Sequence, residues 1–243
     1  MARLTLDVQT KQSFKHKKPS SSLLCLPQEL VTKIITHVAA SSHTDFLATK
    51  FICKDLYKLP EQEEGHIYQH VSLENFPIVA WHNEEKHSEF FKKCQNSKNP
   101  EALYRQGVVH YFSDAKLDSA INCLKEAGNL GHLGAHYAMA IIFILCEDER
   151  RQKGISLLSE MKKSKILGKK VKECRENLKG ILKMIWKNSL IVKEKPTCCT
   201  MEHLRKKNKK KMDGWSILEG EDQQVICEAC CSDFEIASII DVL

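Results

Sequence analysis

The sequence predicts an all-α protein, and three observations carry that prediction. Apolar residues recur at helical spacing from Leu26 through Leu30, Ile34 and Val38. "ALYRQGVVHYF" from Ala102 and "AHYAMAIIFIL" from Ala135 superpose with a shift of 33 residues, and "AINCLKEA" from Ala120 and "GISLLSEM" from Gly154 with a shift of 34. Periods of that size mark helix-turn-helix repeats. Finally, Val171, Cys174, Leu178, Ile181, Leu182 and Ile185 share one face of a third helical stretch. With 243 residues, 42% of them apolar, the chain can supply more than one core.

Residues 1–22 are rich in Lys, Ser and polar residues and read as a disordered basic lead-in. They hold no apolar stretch before a small-residue cleavage site, and no apolar run in the chain reaches about 18 residues, so an intracellular protein of nucleus or cytoplasm is expected. Leu26-Pro27 opens the first helix, since proline suits a first helical turn, and "SSHT" after Ala40 closes it. Thr44 or Asp45 is the expected cap of a second helix whose apolar face runs through Phe46, Leu47, Phe51, Ile52 and Leu56 to "LPEQEEG".

Residue identities within Leu26–Leu59 resemble the F-box, a motif of short helices that docks on a Skp-type adaptor. Leu26, Pro27, Glu29, Leu30, Ile34 and Val38 match its first half, and Asp45, Phe46, Leu47, Ile52, Cys53 and Lys54 its second. The match departs at Leu56, where many members have tryptophan, and in the longer loop "AASSHT". The resemblance implies that Leu26, Pro27, Glu29, Leu30, Ile34, Val38, Phe46, Leu47, Ile52, Cys53 and Lys54 form an adaptor-binding surface on residues 23–62.

A connector follows over 63–98, with aromatic residues, Pro77 and four histidines, His66, His70, His82 and His87, in no recognisable ligand spacing. The repeats with their capping helix span 99–190. Asn99-Pro100 starts the first helix, Asp118 is the expected cap of the second, and "GNLGHLG" is the turn between units. Small residues at Ala102, Gly107, Ala120, Ala127, Ala135 and Ala140 make the stack similar to Sel-like and tetratricopeptide-like repeats, which present surfaces to peptides or proteins.

Of eleven cysteines, six are scattered singly and read as buried thiols, and five crowd the tail, residues 196–243. Cys227 and Cys230 form C-x2-C, a spacing that brings two thiolates to one tetrahedral zinc. Cys199 and His203, with Cys198 as an alternative to Cys199, complete a candidate closed and therefore structural site.

Charge is uneven. Residues 161–211 carry eighteen Lys/Arg and four acids, whereas 212–243 carry eight acids and no Lys/Arg. "RKKNKKK", Arg205 to Lys211, reads as a solvated loop, with nuclear import or phosphate contact as the alternatives. No Ser/His/Asp order, phosphate loop or HExxH-like motif is present, so no enzyme is expected.

From end to end, the F-box, "NPEALYRQG" and the C-x2-C followed by "DFEIASII" are similar to a plant-type F-box family with a repeat-like centre and a cysteine-rich tail. That resemblance implies a substrate-recruiting subunit of a Skp-cullin-F-box ubiquitin ligase. The competing expectations are a zinc-containing nucleic-acid-binding protein using residues 162–211, and a helical-repeat scaffold without a ligase role.

Overall fold

The computed structural model describes residues 23–62, 65–77, 85–146, 149–163, 165–188, 232 and 235–239. Every regular element among the described residues is helical, so the fold is all-α. Two apolar cores organise it, one N-terminal and one in the repeats.

The N-terminal core is enclosed by α1 (Gln28–Ser41), α2 (His43–Thr49), α3 (Lys54–Gln62), α4 (His66–His70) and α5 (Glu85–Asn96). α1 begins directly after Pro27, whose carbonyl accepts the Leu30 and Val31 amides at 3.0 and 3.2 Å. It buries Val31, Ile35 and Ala39. Ser42, not Thr44 or Asp45, caps α2: its extended backbone lets the hydroxyl accept the Asp45 amide at 3.2 Å. The second helix expected to run from Phe46 to Leu56 is divided, because α2 stops at Thr49 and α3 starts at Lys54.

The connector completes this core. Phe46 meets Tyr68 edge to face with ring centroids 5.7 Å apart, and Phe76 stacks on Phe91 at 6.1 Å. Ile67, Tyr68, Val71, Leu73, Phe76, Phe90, Phe91 and Cys94 are all buried there. Burial pushes the Cys94 thiol up to about 12, so it stays protonated and acts as a small apolar side chain.

The repeats are regular to the residue. α6 (Pro100–Phe112), α7 (Leu117–Asn129), α8 (Leu133–Leu145) and α9 (Arg150–Lys162) each span 13 residues. The starts of α6 and α8, and of α7 and α9, both differ by 33. Asn99 caps α6 by accepting the Glu101 and Ala102 amides at 3.1 Å, with Pro100 in the first turn. Lys116 occupies the cap position of α7, and Asp118 falls inside its first turn, where its charge still favours the helix N-terminus.

Each pair of helices closes on one small-residue contact. A Cβ on Gly107 would lie 3.2 Å from the Ala120 carbonyl oxygen, and one on Gly154 would lie 2.7 Å from that of Ala140. The glycine sits on the first helix of one unit and on the second helix of the other. α10 (Lys165–Met184) packs on α8, α9 and α6 and buries Val171, Cys174, Leu178, Ile181 and Leu182, while Lys169, Lys170, Lys172 and Lys183 are exposed.

Helical residues 235–239 close the repeat core. Ile239 is buried in it, and the Glu235 carboxylate accepts hydrogen bonds from the Tyr137 hydroxyl at 2.8 Å and from the Arg175 guanidinium twice at 3.0 Å. Lys162 stands 3.1 Å away. A buried carboxylate needs such partners, and this one fastens part of the tail to α8, α9 and α10.

Candidate adaptor-docking site

Helical geometry puts Leu30 and Ile34 at the edge of α1 beside the buried stripe of Val31, Ile35 and Ala39. They stay in solvent, 45% and 39% exposed, and Leu26 before the helix is exposed as well. The turn between α2 and α3 adds Phe51, 87% exposed, and Ile52, 70% exposed, and α3 adds Tyr57. Six of the eleven large apolar side chains exposed among the described residues thus fall between Leu26 and Tyr57. Contiguous exposed apolar patches are common at interaction sites, which makes this stretch the candidate docking region.

The scaffold behind it is tied together by Lys50. This half-buried side chain lies over the rings of Phe46, Tyr57 and Tyr68 at 5.6, 5.6 and 5.2 Å and donates to the Tyr68 hydroxyl at 2.7 Å. Tyr68 in turn donates to Glu61 at 2.9 Å, and Lys93 donates to the same oxygen at 2.6 Å. Burial pushes the Tyr68 phenol well above its ordinary value, with Glu61 adding to the effect, so it remains a proton donor. Burial also lowers Lys50, against the pull of Glu61.

Of the residues expected to face an adaptor, Leu26, Pro27, Glu29, Leu30, Ile34, Ile52 and Lys54 are exposed. Val38, Leu47 and Cys53 are half-buried, the last two leaning on the N-terminal core. Phe46 departs from the expectation. It is 0% exposed, its ring fills the space between Tyr68 and Phe90, and it supports the surface from within. Phe51 and Tyr57, which sequence matching did not assign to the surface, are more exposed than Leu30. Their signal was an apolar residue in a turn and one on the polar side of α3.

The segment "NPEALYRQG" joins the two cores. The Asn99 side-chain amide donates to the carbonyls of Tyr68, Gln69 and Val71 at 2.8 to 3.1 Å. Arg105, 3% exposed, donates to the carbonyls of Phe76 and Leu73 at 3.0 and 2.7 Å and to Glu101 at 2.6 Å. Glu101 also meets His132 Nε2 at 2.8 Å, while His132 Nδ1 accepts the Ala135 amide and its ring stacks on Tyr104. Burial alone would raise the Glu101 carboxyl, but His132 and Arg105 hold it below its ordinary value. One segment thus binds the connector, starts the first repeat and touches the second.

The candidate zinc ligands Cys199, His203, Cys227 and Cys230, and the basic run Arg205 to Lys211, lie outside the described residues. His82 lies there too, and His66 and His70 form a pair with ring centroids 4.9 Å apart at α4.

With exposed apolar residues on N-terminal helices followed by stacked helical pairs, this chain resembles plant F-box proteins with helical repeats. The family model described as plant tetratrico peptide repeats matches residues 73–183, starting at the loop that Arg105 grips. The chain is 26% identical over 93% of its length, and 79% of the relative's, to At1g67623 of Arabidopsis thaliana, provisionally designated an F-box protein. It is 27% identical over 62% of its length, and 89% of the relative's, to the F-box protein At2g35280 of the same plant. No solved structure matches.

Proposed function

We propose that this chain is a substrate-recruiting subunit of a Skp-cullin-F-box ubiquitin ligase, working in the nucleus or cytoplasm. The observation that carries the reading is the row Leu26, Leu30, Ile34, Phe51, Ile52 and Tyr57, left in solvent on the helices that resemble an F-box. Docking on a Skp-type adaptor, and through it on a cullin scaffold, removes this row from water at about 25 cal/mol per Å² of apolar area. Phe51 and Ile52 are the candidates for the largest contributions, being the most exposed.

The chain itself does no chemistry in this reading. It holds a protein target beside a ubiquitin-loaded enzyme on the same scaffold, and the rate comes from effective concentration. Zinc held by Cys199, His203, Cys227 and Cys230 would fold the tail without taking part in that transfer.

The test is co-purification of the full chain with a Skp-type adaptor beside a Pro27→Ala/Leu30→Asp double variant. Capture by the wild-type chain alone, with both chains giving the same helical circular dichroism, supports the proposal. Capture of the adaptor by neither chain overturns it. Both altered side chains are exposed, so folding is not at stake.

A further inference from the structure

The carboxylate of Glu235 sits in a pocket whose polar walls come from the repeats and their capping helix. Tyr137 stands on α8, Lys162 ends α9 and Arg175 lies on α10, and all three reach the one carboxylate at 2.8 to 3.1 Å. Arg175 engages both of its oxygens, a fork that matches carboxylate geometry. The contact is buried, with Arg175 6% and Glu235 2% exposed. In sequence Glu235 is 60 residues from Arg175 and 98 from Tyr137, so the segment that carries it is seated on the repeats much as a ligand is.

The spacing of its contacts is that of a docked helix. Ser232, Glu235 and Ile239 are buried, Ile236 packs against the repeat core, and Ala237 is exposed. Anchors at i, i+3, i+4 and i+7 are how an amphipathic helix lies in a groove. The other described members of that core lie between Leu103 and Ile185, so the repeats supply the groove and the segment fills it. A buried ion pair contributes less to a fold than apolar packing of the same volume, yet it discriminates strongly against an occupant that lacks the charge.

We propose that this pocket is a peptide-binding site for an acidic amphipathic helix of the target protein, and that residues 235–239 occupy it in cis until such a helix displaces them. The incoming glutamate enters between Tyr137, Lys162 and Arg175, with aliphatic side chains one and four positions later. The role as target site rests on the substrate-recruiting reading; the affinity for an acidic helix does not. A segment tethered in its own chain competes at an effective concentration of roughly millimolar order, so a target helix prevails by binding more tightly.

The experiment is fluorescence anisotropy of the full chain with a labelled peptide of residues 232–243. The Glu235→Ala chain, whose own segment has lost its charge, is expected to bind this peptide about tenfold or more tightly than wild type, and to melt at a higher temperature in its presence. Ile239→Asn opens the pocket by an apolar route and should do the same. Arg175→Met added to either variant should weaken binding by about tenfold or more, as should glutamine in place of the peptide's Glu235.

Unfolding of both the Glu235→Ala and the Ile239→Asn chains would mean that the segment is part of the repeat core, and overturns the proposal. Equal binding of the glutamate and glutamine peptides, or binding no tighter in the two variants than in wild type, overturns it as well. A wild-type chain that runs as a dimer and becomes a monomer in Ile239→Asn assigns the segment to a second copy and overturns the target assignment. Adaptor capture measured on the same samples separates the two readings: peptide binding without capture removes the ligase role and keeps the pocket, and capture without peptide binding does the reverse.

Discussion

The N-terminal helices and the repeats are made of similar amphipathic stretches, yet they differ in what they leave in water. In the repeats, α8 buries Ala135, Tyr137, Ala138, Ala140, Ile141, Ile142 and Ile144, because it has α7, α9 and α10 around it. α1 buries one stripe against α2 and α4 and leaves Leu30 and Ile34 outside. Stacking consumes apolar surface in the one region and leaves some exposed in the other. Apolar pattern alone does not tell these cases apart; the number of neighbours around the helix does.

The same substitution made in both regions should have opposite consequences. Leu124→Asp puts a carboxylate at a fully buried position in α7 and is expected to cost more than about 4 kcal/mol, unfolding the repeats. Leu30→Asp should stay within about 0.5 kcal/mol of wild type in stability, yet abolish adaptor capture. Urea melts and pull-downs on the two chains decide it. Comparable loss of stability in both would mean that Leu30 belongs to a core after all.

Arg105→Met probes how the two regions are joined. The substitution keeps the volume but strips the carbonyls of Leu73 and Phe76, and Glu101, of their donor, at an expected cost of about 3–5 kcal/mol. Because the lost bonds lie between the cores, thermal unfolding followed by circular dichroism should change from one transition to two. Arg105→Lys should not restore the single transition, since an ammonium cannot serve three acceptors in the guanidinium's fixed plane.

The repeats themselves offer a finer comparison. Gly154→Ala drives a methyl to 2.7 Å from a backbone oxygen, which cannot move away, and should cost about 1–3 kcal/mol. Gly107→Ala meets first the Leu124 side chain, at 2.7 and 2.9 Å, and a backbone oxygen only at 3.2 Å. The gain of about 0.5–1 kcal/mol from replacing a helical glycine then offsets most of the strain, and the denaturation midpoint should move by less than half as much.

The repeats were the legible part of the sequence because their information is local and doubled. The 33-residue offset, Asn99-Pro100 and the buried face of α10 all follow from residues close together in the chain. What sequence spacing misassigned depends on partners far away. Phe46 points inward because Tyr68 and Phe90 wait for it 22 and 44 residues later. Ser42 took the α2 cap from its neighbours because the chain is extended at that residue, a backbone fact that composition does not encode. Glu235 reads as one more acid in an acidic tail until Tyr137, Lys162 and Arg175 surround it. The "NPEALYRQG" segment stood out as specific, but only the fold reveals that Asn99, Glu101 and Arg105 hold the connector and the two repeats together.

A further expected effect concerns acid. Glu101 sits at that junction, and although burial raises its carboxyl, the hydrogen bond from His132 and the Arg105 charge hold it below 4.5. A carboxyl lowered by folding stabilises the folded state fully above its ordinary value and loses that contribution as pH falls through the lowered one. Glu101→Gln keeps the shape without the charge, so it should be less stable than wild type by about 1.5 kcal/mol at pH 7, the scale of a hydrogen bond to a charged group. Lowering the pH from 5 to 3 should narrow the gap, since the unfolded wild-type carboxyl takes up its proton in this range and the advantage of the lowered folded one shrinks. Glu61, which is also held low, titrates equally in both chains and cancels in the difference. A gap that stays constant over this range would mean that the charge of Glu101 contributes nothing to joining the cores, and that its hydrogen bonds alone do so.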